Sequence, residues 1–389
     1  MLYQKTEKMF LSILDRTDTG TFTFENHDGK IFEFAGKYPG PHGHLKTHAP
    51  DVLWNMAIGG DTAMAGDYRE GKWDCDDIAS LVDFAFRNEE AMRPFVAGNP
   101  AKRALVGLAA LFKPNTRRRA RANVMAHYDL GNDFYALWLD ETMSYSSALF
   151  AASDQTLASA QLNKYDRILD RLETGPGEIL EIGCGWGGFA ERAIHRGDHR
   201  VTGLTLSPAQ AEYARARLHP APGHADIRLE DYREDRGTYR SIVSIEMFEA
   251  VGERYWKTYF DRLAAQLAST GKAVIQTITV DDAYFDSYRK GGDAVRAYIF
   301  PGGMLPSELA LREQVTNAGL RIDKSYYFGP DYAKTLRIWA KAFEEKWGQI
   351  QAIGFDERFR RMWRFYLSYC EAGFDNGRIN VGHFTLTKS

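Results

Sequence analysis

The sequence predicts an α/β chain in two parts, a small N-terminal α/β unit and a larger one built on a parallel, doubly wound sheet. Three observations carry this. Beyond residue 177, short apolar runs alternate with helix-like segments, the pattern of strands joined through crossover helices. A glycine-rich turn links the first of those strands to the first of those helices, where such folds receive a ligand. Near the N-terminus, two alternating runs flank an Asp28-Gly29 pair, a hairpin signal.

In the first unit, residues 1–95, the runs 21–25 and 30–35 are the hairpin strands. Helical segments follow at 51–58 and 77–87, each opening on an aspartate suited to capping. Residues 96–122 read as a linker, with Gly98, Pro100 and Pro114 as breakers. Its end, 113–121, carries Lys113, Arg117, Arg118, Arg119 and Arg121 and no acid. In the second unit, 123–389, strands are expected at 178–182, 200–205, 242–245 and 273–278. Helices are expected at 188–195, 208–218 and 256–266. The final third reads as aromatic-rich and helical, broken at Pro301-Gly302-Gly303.

Composition bounds the function. Hydrophobic residues make up 44 % of the 389, enough for a sizeable core. A net charge of −3 argues against nucleic acid as a partner. Cys75, Cys184 and Cys370 lie far apart and show no metal-ligand spacing, which fits a reducing cytoplasm. The N-terminus carries charges within its apolar stretch and does not read as a signal peptide. The apolar stretch 104–112 is too short to span a bilayer, so a membrane substrate would be reached from the water side.

The sharpest motif is Glu181-Ile-Gly183-Cys-Gly185-Trp-Gly187-Gly188. Glycines there permit a tight turn and close approach of backbone N–H groups to a ligand. A glycine-rich loop alone is weak, because dinucleotide enzymes share its logic. Two details favour S-adenosylmethionine. Glu181 suits the amino group of a methionine moiety, and the spacing is G-x-G-x-G. The end of the next strand, with Thr205 and Ser207, offers hydroxyls but no carboxylate for a ribose, which disfavours a nicotinamide oxidoreductase.

Spaced motifs then appear in a fixed order. His127-Tyr128-Asp129-Leu130-Gly131-Asn132-Asp133-Phe134-Tyr135 is followed by Tyr145-Ser146-Ser147-Ala148-Leu149-Phe150, LEIGCGWGG, GLTLSPAQ, FEAVG and YIFPGGMLPS. Together they resemble the cyclopropane-fatty-acyl-phospholipid synthase family, with the mycolic acid methyltransferases as relatives. The resemblance is close over 115–389. It is looser over 1–95, where Gly66-Asp-Tyr68-Arg-Glu-Gly71-Lys-Trp73 is similar to a small lipid-loading domain. It implies a Rossmann-like methyltransferase domain in which Tyr128, Tyr145, Ser146, Gly183, Gly185, Thr205 and Gln210 line the cofactor. Asp231 and Tyr232 would lie near the adenine. Read without it, Tyr128 and Tyr145 are core aromatics.

An isolated alkene is a poor nucleophile and a sulfonium methyl a strong electrophile. The protein's task is therefore alignment in a dry site. Attack leaves positive charge on the acyl chain, which aromatic faces stabilise by roughly 0.5–2 kcal/mol each. Phe248, Tyr284, Tyr298, Phe300, Tyr332 and Trp339 are candidates, with core packing as the alternative. Losing a proton from the new methyl closes a cyclopropane; losing one from a neighbouring carbon leaves a methylated alkene. The resemblance places a bicarbonate ion there as base, held by a cysteine, a glutamate, a histidine, an isoleucine and a tyrosine. This chain keeps Glu249, Ile278 and Tyr332 but has Ser147 for the cysteine and Gln276 for the histidine. Ala250 replaces a usual histidine, and Glu246 stands where glycine is common. Serine and glutamine still hydrogen-bond anions. Glu249 would itself serve as base if burial raised its pKa.

These departures favour a methylated, methylene-branched or furan-precursor chain over ring closure, which stays open. The basic run 113–121 is expected to meet an anionic membrane surface, peripherally on the inner face, with a solvated linker as the bland alternative. The aromatic segments 326–347 and 359–369 are expected to build an acyl tunnel, again with core as the alternative. Family members are often homodimers. A methyltransferase for a soluble small molecule and a silent lipid-binding protein are the competing readings.

Overall fold

The computed structural model describes residues 2–96, 130–172, 175, 177–221, 223–291 and 293–389. The stretch 104–112, the basic run 113–121 and Tyr128 lie outside the described residues. The chain forms two compact units. One comprises Met1–Lys113, Asp286–Pro301 and Trp347–Arg378; the other comprises Pro114–Phe285, Gly302–Lys346 and Ile379–Ser389.

The first unit carries a four-stranded sheet. Its strands are β1 (Thr19–Glu25), β2 (Ile31–Ala35), β3 (Tyr38–Thr47) and β4 (Trp73–Asp74), in the order β2-β1-β3-β4. The expected hairpin is β1–β2, antiparallel with Phe24 opposite Phe32. β3 runs parallel to β1 and was not expected. Its first half, Tyr38-Pro39-Gly40-Pro41, lacks two backbone donors and reads as loop. Further along, Gly43 admits the Phe22 ring, which a Cβ would meet at 2.4 Å. The sheet packs on an aromatic core in which Phe10 contacts Phe24 and Phe95 at centroid distances of 5.3 and 5.0 Å. The helices Val52–Arg69 and Ile78–Arg87 cover it, the second capped by the Asp77 carboxylate. The late helix Glu357–Asp375 belongs to this unit, whereas the sequence drew a single boundary at 96–122. Its Arg361 donates to the Trp73 carbonyl and to Asp74 (2.7 Å each) and lies 4.0 Å from the Tyr68 ring centroid.

The second unit holds a seven-stranded sheet. In chain order the strands are β5 (Glu178–Ile182), β6 (Arg200–Thr205), β7 (Ala225–Leu229), β8 (Tyr239–Ile245), β9 (Leu267–Val280), β10 (Leu320–Tyr327) and β11 (Ile379–Lys388). In space they run β10-β11-β9-β8-β5-β6-β7. The five strands from β9 to β7 are parallel. Of these, β5, β6, β8 and β9 were expected and read as apolar runs because they are largely buried, whereas β7, a half-exposed edge strand with Asp226 and Arg228, was not expected. The sheet as a whole is mixed, because β11 pairs antiparallel with β9, and β10 with β11. This corrects the purely parallel, helical reading of the final third. β10 is polar and largely exposed, so it lacks an apolar run. The helices Leu157–Leu172, Gly188–Gly197 and Pro208–Leu218 contribute Ile168, Leu172, Phe189, Ala193 and Ala214 to one core with the sheet. Among the described residues no helix is long and apolar enough to cross a membrane.

Candidate active site

The carboxyl ends of β5, β6 and β8 open onto a cavity of about 180 Å³, where α/β sheets receive ligands. After β5 the chain turns through Gly183, Gly185 and Gly187, all at positive φ, into the helix Gly188–Gly197. The Gly183 and Cys184 amides both donate to the Leu204 carbonyl at 2.9 Å. A Cβ on Gly183 would lie 2.8 Å from Met247 Cγ, whereas one on Gly185 would meet no protein atom and project into open space.

Of the residues expected to hold the cofactor, Tyr145, Ser146, Glu181, Gly183, Gly185, Thr205, Gln210, Asp231 and Tyr232 line this cavity. Gly187 and Ser207 do not. Gly187 faces the next helix, where its Cβ would sit 3.2 Å from that of Ala214, and Ser207 caps the helix Pro208–Leu218 through the Gln210 amide. Thr205 donates to Gln210 Oε1 (2.9 Å), which orients both side chains. Asp231 is held by a bidentate Arg233, and Tyr232 packs edge-on to Tyr259.

Glu181 is 3 % exposed, and its Oε2 has no hydrogen-bond partner. Burial pushes its pKa well above the carboxylate range, against the pull of Lys164. An unsatisfied, buried carboxylate oxygen on a ligand cavity suits an ammonium group, so the residues present fit the amino-acid end of S-adenosylmethionine. Lys164, which sequence reasoning missed, is completely buried and donates to Ser146 Oγ at 2.7 Å. Burial lowers its pKa to about 8, opposed by Glu246, Asp140 and Glu181.

The five residues expected to hold bicarbonate do not converge on one point. Three converge on Glu246, at the end of β8. Its Oε1 accepts from the Ser147 backbone amide (2.9 Å) and Gln276 Nε2 (2.7 Å), and its Oε2 from the Tyr332 hydroxyl (2.7 Å). The Ser147 hydroxyl, the expected anion ligand, donates instead to the Ala148 carbonyl. Ile278 and Glu249 pair with each other: Glu249 Oε1 accepts from the Ile278 amide (2.6 Å) and Thr277 Oγ1 (3.0 Å). Glu249 Oε2 is buried without a partner.

The two carboxylates differ in ease of ionisation. Burial and the neighbouring Glu246 charge push Glu249 up to about 8. Burial also raises Glu246, but Tyr332, Lys164, Ser147 and Gln276 all oppose it. With four groups favouring its anion, Glu246 is the ionised member and Glu249 holds the proton at neutral pH. Glu246 lines the cofactor cavity; Ser147, Gln276, Ile278, Tyr332 and Glu249 lie behind that lining.

Of the aromatic candidates, Trp339 packs on Tyr145 (5.3 Å) and edge-on to Tyr332 (6.2 Å), beside this cluster. Phe248 is core, enclosed by Trp256, Tyr259 and Phe260. Tyr298 and Phe300 belong to the first unit, as does the expected tunnel segment 359–369.

Comparison with known proteins agrees on one family. The model for mycolic acid cyclopropane synthetase matches residues 115–384. The chain is 37 % identical over 361 residues to tuberculostearic acid methyltransferase UfaA1 of Mycobacterium tuberculosis, covering 88 % of this chain and 83 % of that one. It is 32 % identical over 334 residues to the cyclopropane-fatty-acyl-phospholipid synthase of Escherichia coli K12, covering 85 % and 84 %. Its fold is similar to mycolic acid cyclopropane synthase CmaA1 complexed with SAH and CTAB, with a TM-score of 0.64, 33 % identity, and coverage of 69 % of this chain and 98 % of that one.

Proposed function

This chain belongs to the mycolic acid cyclopropane synthetase family, and on that premise we propose that it methylates a double bond in the acyl chain of a membrane phospholipid, leaving a branched chain and not a ring. It is an S-adenosylmethionine-dependent methyltransferase acting on unsaturated lipid chains. The observation that carries the finer reading is the meeting of two carboxylates, the buried Glu181 and the half-buried Glu246, on one cavity.

When bound, the cofactor supplies an electrophilic methyl group whose carbon–sulfur electrons remain on sulfur. Glu181 receives its ammonium, the Gly183–Gly187 turn gives its backbone room, and Thr205, Gln210, Asp231 and Tyr232 flank the nucleoside. Tyr145 and Trp339 form an aromatic wall that favours positive charge developing on the acyl chain. Their packing keeps water out. Among the relatives, the UfaA1 name denotes tuberculostearic acid methylation and the Escherichia coli name cyclopropanation of a phospholipid chain. Closer identity to the first supports branching. The lipid is reached from a peripheral position, with the basic run 113–121 on an anionic leaflet, and the first unit loads it.

The test is incubation of the purified protein with S-adenosylmethionine and vesicles of a monounsaturated phosphatidylglycerol. Mass spectrometry should show acyl chains gaining one CH2 unit, and hydrogenation should then take up hydrogen as a branched alkene does. A gain resistant to hydrogenation means a ring. Methylation of soluble acceptors with none on lipid overturns the reading.

A further inference from the structure

We propose that Glu246 is the proton acceptor of this enzyme, a carboxylate built into the chain where the family resemblance puts a diffusible bicarbonate, and that His383 and Gln276 hold it in place. The inference rests on the proposed methylation of an acyl double bond and adds the identity of its base.

The backbone supports the assignment. Glu246 has φ +49°, a left-handed conformation that is unfavourable for a non-glycine residue. The resemblance makes glycine common at this point. A glutamate there gives up that ease and gains three donors to its side chain, from the Ser147 loop, from β9 and from the helix Gly329–Glu345. Ser147, Gln276 and Tyr332 stand at positions that the resemblance assigned to the anion. The Ser147 amide, the Gln276 amide group and the Tyr332 hydroxyl donate to Glu246, and the Ser147 hydroxyl is turned to the Ala148 carbonyl, so the anion site is filled from within. Among the described residues Oε2 accepts only the Tyr332 hydroxyl, which leaves it a lone pair, and the side chain lines the cofactor cavity. Glu249 is less suited, because Thr277 and Ile278 tie its Oε1 and it holds a proton at neutral pH.

The step balances. The alkene π-pair forms the new bond to the methyl carbon, and the adjacent carbon is left cationic. Glu246 Oε2 accepts a proton from a carbon next to the cationic one, and the released C–H electron pair fills the empty orbital as a C=C bond. If the proton comes from the new methyl, the same pair closes a ring. Glu246 ends protonated and returns its proton to water between turnovers.

His383, on β11, is 2 % exposed and lies 2.8 Å from Gln276 Oε1 through Nε2; its Nδ1 has no partner. Burial, with Arg167, Lys164 and Arg171 nearby, holds it well below the usual histidine pKa. A neutral ring must therefore donate from Nε2 to the amide oxygen. That fixes which end of Gln276 faces Glu246, and the amide presents its NH2 to the carboxylate. His383 is a positioning residue that acts through Gln276.

The experiment compares the full-length wild type with Glu246→Gly and Glu246→Gln in CO2-free buffer and in added bicarbonate. It follows methyl transfer to monounsaturated phosphatidylglycerol vesicles, S-adenosylmethionine binding by calorimetry, and 13C-bicarbonate binding by NMR. The wild type should be indifferent to bicarbonate and bind none. Glu246→Gly should bind the cofactor normally and bind bicarbonate. It should lose about 10²-fold or more in turnover and recover when bicarbonate is added. Glu246→Gln preserves size and hydrogen bonds if the glycine variant misfolds, and should be inactive without rescue. His383→Leu should lower kcat about tenfold, the worth of one hydrogen bond, at unchanged KM and cofactor affinity, and His383→Gln should recover most of it. Bicarbonate binding to wild type, bicarbonate-stimulated wild-type turnover, or full activity of Glu246→Gly in CO2-free buffer would overturn the assignment. A wild type that binds cofactor but methylates no lipid counts against the proposed function, while the binding arm still decides the base.

Discussion

Replacing Glu249 with glutamine should stabilise the protein at alkaline pH and leave its activity largely intact. The folded carboxyl titrates at about 8, against an ordinary value of 4.5, because it is buried beside Glu246. Below pH 4.5 it is protonated in both folded and unfolded chains and costs nothing. Between 4.5 and 8 the unfolded chain releases a proton that the folded one keeps, so stability falls by about 1.4 kcal/mol per pH unit. Above 8 the loss levels off. The whole window amounts to about 5 kcal/mol as a ceiling, part of it shared with Glu246. Glutamine keeps the acceptor for Ile278 and Thr277 and never ionises. Urea unfolding followed by tryptophan fluorescence should therefore show similar stabilities at pH 5 and a gap of about 2–5 kcal/mol at pH 8. A gap that does not change with pH refutes the assigned protonation state. Cofactor binding and turnover should both survive in this variant, because glutamine mimics the protonated carboxyl; loss of turnover with the cofactor still bound would give Glu249 a part in the chemistry.

Glu181→Gln should weaken S-adenosylmethionine binding about 10- to 150-fold by calorimetry, the loss of one charge-assisted hydrogen bond worth about 1.5–3 kcal/mol. Gly183→Ala should lower both cofactor affinity and thermal stability, because the added methyl meets Met247 2.8 Å away at φ +85°; unchanged melting would contradict the crowding. Replacing Arg117, Arg118, Arg119 and Arg121 with alanine should weaken co-sedimentation with anionic vesicles at low salt, by about 1 kcal/mol per charge at most, and the difference should vanish at high salt.

Local pattern was enough to pick out residues that line one cavity at the carboxyl ends of the strands. The turn after β5 announces itself through consecutive glycines, and the strands through apolar runs that burial on both faces demands. β3 escaped because its prolines and glycines are loop residues that a parallel partner accommodates at the sheet margin. β10 escaped because an exposed strand at the sheet edge needs no apolar run, and β11 because its buried middle carries Gly382, His383 and Thr385 among its apolar residues. The residues behind the cavity depend on tertiary approach. Glu246 was visible as an exception to glycine, but its role depends on Gln276 and Tyr332, 30 and 86 residues away. Lys164 did leave a trace. It occupies the buried stripe Ala160, Gln161, Tyr165 and Ile168 of the helix Leu157–Leu172, and a lysine on an apolar face calls for a buried partner.

The interleaving of segments in the first unit has a consequence during biosynthesis. Its Phe10–Phe24–Phe95 nucleus is translated about 260 residues before the helix Glu357–Asp375, which brings Arg361 to Tyr68 and, just beyond its end, Asn376 to Asp83. Until that helix is made the nascent chain carries a half-covered greasy surface, the kind of species that aggregates or recruits chaperones. A premature stop anywhere before residue 357 would therefore leave an N-terminal fragment prone to clumping and not an independent module.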